Sequence, residues 1–147
     1  MNASVVLRVA AKAVIINREG RILLVREAST YKEGTGAGRY HMPGGRLDLG
    51  ESFEHGLHRE IKEETGLEVK PLFPIYVGEW RPVIRGRPHQ IIAIFTVCKA
   101  KTTRIKLSDE HDGYEWILPK EAKNFDIMDP EPEVIKRYSK WPVVIDD

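Results

Sequence analysis

The segment Gly45–Leu67 reads GRLDLGESFEHGLHREIKEETGL and decides the fold. No proline interrupts it from Ser52 to Thr65, so this part is predicted to form a helix. Ser52 is a suitable N-cap, and Gly66 suits the left-handed position that follows a helix. At 100° per residue the helix presents one apolar stripe, formed by Phe53, Leu57 and Ile61. We expect this stripe to pack against a hydrophobic core.

Three carboxylates of this helix lie where local physics disfavours them. Glu64 falls within the apolar stripe, Glu60 lies at its edge and Glu63 lies beyond Glu60. Glu60 and Glu64 are like charges four residues apart, and all three lie near the helix C-terminus, where the dipole disfavours negative charge. Arg59 is placed to pair with Glu63, but no basic residue stands three or four positions from Glu60 or Glu64. A hard divalent cation such as Mg²⁺, which binds carboxylate oxygens, would neutralise the cluster.

The same segment carries a complete and specific motif. The spacing is G-x5-E-x7-R-E-U-x-E-E-x-G-U, with U aliphatic, and it is filled by Gly45, Glu51, Arg59-Glu60-Ile61, Glu63-Glu64 and Gly66-Leu67. The segment therefore resembles the Nudix hydrolase family, of the MutT-like type. The resemblance implies an α/β fold, a Nudix-like α/β/α sandwich with a mixed β-sheet. It also implies hydrolysis of the pyrophosphate bond of a nucleoside diphosphate linked to another moiety, with Mg²⁺ or Mn²⁺ as cofactor.

The resemblance assigns roles to residues in and near the motif. The implied metal ligands are Glu60, Glu63, Glu64 and the carbonyl of Gly44. The implied catalytic residues are Glu60, Glu64, Arg59 and Glu110. Arg59 would orient the carboxylates, and Glu51 would pair with Arg59. The general base stays open among Glu60, Glu64 and Glu110.

Substrate contacts are expected from residues outside the motif. Trp80 and Tyr40 offer aromatic rings that stack on a base, and Arg81 offers a guanidinium for a phosphate. Arg81 belongs to a basic loop that also contains Arg85, Arg87 and His89. A solvated hairpin loop is the alternative interpretation of this basic stretch.

Two further resemblances point to different substrates. Pro82, fifteen residues after Leu67, resembles members that hydrolyse ADP-ribose. The stretch Leu107–Trp116 instead resembles members that act on nucleoside triphosphates and dinucleoside polyphosphates. The nucleotide substrate therefore stays open.

The rest of the chain predicts strands around this helix. Val5–Ile16 and Arg21–Val25, joined by a turn at 17–20, are predicted to form a hairpin. The other predicted elements are one or two strands in Val69–Val83, strands at His89–Ala100 and Tyr114–Leu118, and a closing helix at Glu131–Tyr138. The predicted loops are Ala28–Arg39 and Pro43–Gly45.

The composition limits the number of domains and the kinds of partner to be expected. The 147 residues are 41% hydrophobic and 31% charged, which predicts a single soluble domain. Together with the resemblance, this implies one Nudix hydrolase domain over 1–147. A formal net charge of +1 argues against a polymeric nucleic acid partner and leaves a nucleotide-type small molecule. No apolar run approaches the roughly 18 residues of a membrane span, so no membrane partner and a cytoplasmic location are expected. Dimers are common in the Nudix family, so a homodimer is an open expectation.

Two alternative functions stay open. A catalytically silent Nudix module that senses nucleotides would share the fold, although such modules lose motif carboxylates that this chain keeps. An enzyme of the same fold that isomerises an isoprenoid diphosphate would need a catalytic cysteine. The one cysteine, Cys98, lies at the end of an apolar strand, where a buried structural thiol is expected.

Overall fold

The computed structural model describes residues 4–31 and 36–144. Its strands are β1 (Val6–Ile16), β2 (Ile22–Glu27), β3 (Tyr40–His41), β4 (Gly44–Arg46), β5 (Val69–Trp80), β6 (Val83–Ile84), β7 (Arg87–Ala100) and β8 (His111–Ile117). Its helices are α1 (Phe53–Thr65), a 3₁₀ helix (Pro119–Asn124) and α2 (Glu131–Lys140).

A mixed sheet organises these elements. The strands follow the order β3-β2-β1-β7-β5, while β4 also pairs with β1, β6 with β7 and β8 with β2. β1 and β7 run parallel along the whole of β1, whereas the other strand pairs are antiparallel. Because β1 pairs with β2, β4 and β7, it holds the centre of the sheet and places the start of the motif beside it.

The side chains of β1 alternate between two hydrophobic cores. Ala11, Ala13 and Ile15 join the core that contains α1. Ala10, Val14 and Ile16 join the core that contains α2. This alternation follows from the period of two in a strand, and it covers both faces of the sheet with a helix. The predicted α/β/α sandwich with a mixed sheet is confirmed.

The predicted motif helix is confirmed at both ends. The Oγ of Ser52 accepts a hydrogen bond from the backbone N–H of His55 at 3.2 Å. Gly66 is left-handed, with φ of 75°, and its N–H returns to the carbonyl of Lys62. Leu57 and Ile61 are fully buried against β1, as the apolar stripe predicts.

One prediction of irregular structure is wrong. The predicted loop Pro43–Gly45 contains the start of β4, whose Gly44 pairs with Lys12 of β1. The strand structure predicted for Val69–Val83 is confirmed: β5 continues through its prolines to Trp80, with register shifts beside them. Among the described strands, β5 pairs only with β7 and is an edge strand, where a missing N–H is tolerated. In the predicted loop Ala28–Arg39, residues 32–35 lie outside the described residues.

Gly44 fixes how closely β4 approaches β1. Its φ is +134°, a conformation that L side chains rarely adopt. A Cβ at this position would lie 2.2 Å from the carbonyl oxygen of Ala11 and 2.6 Å from Cα of Lys12. Both neighbours are backbone atoms of the central strand, so neither moves without disturbing the sheet.

We expect Gly44→Ala to lower the free energy of unfolding by more than about 3 kcal/mol, because strain and a backbone clash add. Gly50→Ala is the matched control: its φ is +82°, but nothing lies within 4 Å of its added Cβ. Gly50→Ala is expected to lower the free energy of unfolding by only about 1 kcal/mol. Urea unfolding of both variants checks this, and equal losses would contradict the packing argument.

Candidate active site

A cleft of about 810 Å³ opens beside the C-terminal half of α1. The carboxylates that line it are Glu27, Asp48, Glu60, Glu63, Glu64, Glu110, Asp129 and Glu131. Its basic and aromatic lining residues include Arg8, Lys12, Arg39, Arg46, His41, His111 and Trp80. The cleft therefore combines a strongly acidic side with basic groups within one volume.

Arg59 holds three glutamates with one guanidinium. Its Nε and Nη2 donate to the two carboxylate oxygens of Glu51 at 2.6 and 2.7 Å, the pair that the resemblance implies. Its Nη1 donates to Glu60 at 3.0 Å and to Glu63 at 3.2 Å. The Arg59 hydrogen bonds hold the pKa of Glu51 far below its usual value. A search for partners three or four positions apart does not find the contact between Arg59 and Glu60, because the two residues are adjacent in sequence.

Glu64 is the most deeply buried carboxylate of the motif. It is 6% exposed, and its Oε1 accepts a hydrogen bond from the N–H of Gly44 at 2.9 Å. Burial raises the pKa of Glu64 to about 8, although the charge of Lys12 and the Gly44 hydrogen bond oppose the rise. The negative charges of Glu60 and Glu110 raise it further. The environment of Glu64 thus favours its neutral form unless another positive charge is present.

Glu60 and Glu110 lie on the same side of the cleft. A Cβ on Gly45 would lie 2.6 Å from Oε2 of Glu60, so the glycine leaves the space that this carboxylate fills. Burial is the largest cause that raises the pKa of Glu60, and the charges of Glu63 and Glu110 add to it. Among the described residues, no hydrogen bond reaches the side chain of Glu110.

This donor set fits a hard divalent cation. Glu60 and Glu64 supply carboxylate oxygens whose burial makes an added positive charge favourable. Within the described residues, no group of three or more acidic, histidine or cysteine side chains is placed to hold a metal alone. Mg²⁺ commonly takes one or two carboxylates and fills its other positions with water or phosphate. Glu63 is 57% exposed and turned to Arg59, so it is the outermost of the motif carboxylates.

A buried polar network that the sequence motifs do not indicate lies on the floor of the cleft. Lys12 is 6% exposed; its Nζ lies 3.0 Å from Nδ1 of His41 and 3.6 Å from a carboxylate oxygen of Glu131. The backbone N–H of Met42 donates to the other carboxylate oxygen of Glu131. The available signal was a lysine between two alanines in the apolar pattern of β1.

The network extends to a second histidine. Nε2 of His41 lies 2.9 Å from Nε2 of His111. Nδ1 of His41 faces both the ammonium of Lys12 and, at 2.9 Å, the carbonyl oxygen of Met42. Burial and the charge of Lys12 lower the pKa of His111 to about 4, and they also lower the pKa of His41.

The structure brings some of the predicted substrate residues to the cleft and leaves others away from it. Trp80 lines the cleft. Tyr40 instead packs edge-on against Phe125, with ring centroids 5.3 Å apart. Arg81 pairs with Glu79 at 2.7 Å and is not among the described residues that line the cleft. Cys98 is fully buried, with a pKa raised by burial to about 12, and it too lies outside the cleft lining.

Comparison with known proteins identifies the family. A family model described as the NUDIX domain matches residues 6–138. The chain belongs to the Nudix family. As a Nudix protein it is a hydrolase that acts on phosphoric anhydride bonds, in a family that generally uses a divalent metal such as Mg²⁺.

Three similar proteins illustrate this membership. A MutT-like protein of Streptomyces ambofaciens is 31% identical over 114 residues, which cover 78% of this Nudix chain and 66% of that relative. The nucleoside triphosphatase NudI of Escherichia coli is 26% identical over 77% of the chain and 84% of that protein. The crystal structure of a MutT protein from Methanosarcina mazei superimposes with a TM-score of 0.78 at 25% identity, covering 95% and 97% of the two chains.

The chain thus spans about two thirds of the length of the Streptomyces relative. None of the helices in the described part of the chain is long and apolar enough to cross a membrane.

The buried histidines predict a dependence of stability on pH. The pKa of His111 falls from its usual 6.5 to about 4, so on acidification the unfolded chain takes up this proton first. We expect His111 alone to remove about 2 kcal/mol of unfolding free energy between pH 7 and pH 5.

Urea unfolding at both pH values checks this in the wild-type chain and in His111→Asn, which is expected to lose less stability over that interval. His58→Asn removes a half-exposed histidine and is the control. A pH dependence in His111→Asn as steep as in the wild type would contradict the assignment.

Proposed function

We propose that this Nudix chain hydrolyses the pyrophosphate bond of a nucleoside diphosphate linked to another moiety, with Mg²⁺ bound at Glu60 and Glu64. The observation that carries the proposal is that these two carboxylates lie in one cleft, Glu64 buried and Glu60 half-buried, and that burial raises the pKa of each. A cation compensates two carboxylates withdrawn from water in this way. When bound there, Mg²⁺ would activate water and neutralise phosphate charge.

The protein residues then have separable tasks. Arg59 holds Glu60 in place and is itself fixed by the two bonds to Glu51. The N–H of Gly44 orients Glu64. Glu63 is the third candidate ligand, held by Arg59 at the exposed rim, and the Gly44 carbonyl is a fourth. Trp80 is positioned in the cleft to contact the organic part of a nucleotide.

Glu110 is the general base in this proposal. It lies close enough to Glu60 and Glu64 to raise the pKa of both. Its carboxylate accepts no hydrogen bond from the described residues, which leaves its oxygens available to a water molecule. Proton transfer requires such a free acceptor near the reacting atoms.

A nucleoside triphosphate is the second candidate substrate. The likeness to the nucleoside triphosphatase NudI favours it. An ADP-ribose-like substrate rests on the position of Pro82. A hydrolysis screen with both classes, each in Mg²⁺ and in EDTA, decides between them. Turnover of neither class by a folded, metal-binding sample would favour a nucleotide-sensing module instead. A cytoplasmic location and a homodimer stay predictions.

We expect Glu64→Gln to lower kcat by at least about 100-fold with the substrate found in the screen, because the variant loses the charge that holds the cation. Glu54→Gln makes the same change on an exposed part of α1 and is expected to keep wild-type turnover. In EDTA at pH 7, Glu64→Gln is expected to melt at a higher temperature than the wild type, because the folded chain no longer has to keep a proton on a carboxyl that the unfolded chain ionises. Unchanged turnover in Glu64→Gln would overturn the metal assignment.

A further inference from the structure

A smaller groove of about 310 Å³ adjoins the cleft. We name it the arginine groove and define it by Arg8, Arg46, Ile84, Arg85, Arg87 and His89. Arg8, Arg46 and Ile84 line both volumes, so the groove lies directly beside the cleft.

The arginine groove is built for an anion. Four of its residues carry a guanidinium, and no Asp or Glu is among the described residues that line it. Arginine keeps its charge in proteins, and its planar fork matches a phosphate group. Arg8 and Arg46 stand on the paired strands β1 and β4, so two of the four cations have rigid supports.

The other two arginines stand at the turn between β6 and β7. Ile84 pairs with Arg87, so Arg85 and Gly86 form a two-residue turn. His89, only 8% exposed, donates from Nδ1 to the carbonyl of Arg87 at 2.9 Å and fixes the strand beside the turn. The groove thus gathers cations from three separate parts of the sheet.

The backbone of Arg85 is strained. Its φ is 50°, in the left-handed region, and Gly86 follows with φ of 75°. Such a turn favours Asn or Gly at its first central position, whereas an arginine there costs stability. Strained residues concentrate at sites where a side chain is needed for function. The strained backbone of Arg85 is an observation separate from the four guanidinium groups, and it concerns the same groove.

We propose that the arginine groove binds a phosphate group of the substrate, separate from the pyrophosphate bond that is broken beside Glu60 and Glu64. This inference rests on the proposed function and narrows its substrate to nucleotides that carry a further phosphate. The basic loop predicted from sequence contributes Arg85, Arg87 and His89 to this site. The fold adds Arg8 and Arg46, while Arg81 is paired with Glu79 outside the groove.

The first test measures binding of inorganic tripolyphosphate to the metal-free full chain in EDTA by calorimetry. We expect Arg85→Asn/Arg87→Gln to bind it at least about tenfold more weakly than the wild type. The control Arg18→Gln/Arg104→Gln removes the same charge from exposed positions outside both cavities. It is expected to bind as the wild type does. Equal affinity in all three proteins, or no binding by the wild type, would overturn the proposal.

A single variant excludes a structural explanation. Arg85→Asn places a residue that tolerates the left-handed backbone in the turn. We expect it to melt no lower than the wild type while its tripolyphosphate affinity falls. A lowered melting temperature together with unchanged affinity would show that Arg85 serves the turn alone and would overturn its role in binding.

Kinetics identify the source of the phosphate. At fixed free Mg²⁺, tripolyphosphate is expected to raise KM without changing kcat for the substrate found in the screen, and to inhibit the double variant less. A lowered kcat with unchanged KM would indicate a separate phosphate effector and overturn the assignment to substrate. If no nucleotide is hydrolysed, the proposed function fails, whereas the calorimetric comparison still decides whether the groove binds an anion.

Discussion

The carboxylate of Glu64 accepts a hydrogen bond from the backbone N–H of Gly44, and this contact ties α1 to the centre of the sheet. It requires β4 to lie against β1, an approach that a side chain on Gly44 would prevent. With α1 fixed in this way, Glu60 fills the space above Gly45 and Arg59 bridges to Glu51. The geometry of the acidic side of the cleft thus follows from one contact between helix and strand.

The same contact carries an electrostatic cost. With a pKa of about 8, Glu64 is mainly protonated in the folded metal-free chain at pH 7, and taking up this proton costs about 3 kcal/mol relative to the unfolded chain, where the carboxyl is ionised. Full burial of Leu57 and Ile61 on the same helix contributes about 2 kcal/mol each. The burial of Leu57 and Ile61 therefore offsets the cost of Glu64, and this face of the helix adds almost nothing to the free energy of unfolding. Lys12 lowers the pKa of Glu64 from inside the sheet and reduces the cost.

The sequence predicts features whose causes are local. α1 begins after Ser52 and ends before Gly66, as expected, because an N-cap and a left-handed glycine each depend only on residues nearby in the sequence. The parts that could not be predicted depend on contacts between distant residues. Lys12 meets Glu131 only when β1 and α2 pack on each other, and β4 is too short to show a strand pattern.

β4 lies between the carboxylates of the cleft and the arginine groove. β4 carries Gly44 and Gly45 against the acidic helix and places Arg46 in the arginine groove. One three-residue strand therefore borders both the carboxylates and the arginines. At one end, the phosphates of a substrate with several phosphate groups would be attracted by the arginines. At the other end, such a substrate needs a cation between its phosphates and the carboxylates. This arrangement sets the direction in which such a substrate lies, because reversing it would place phosphates against unneutralised glutamates.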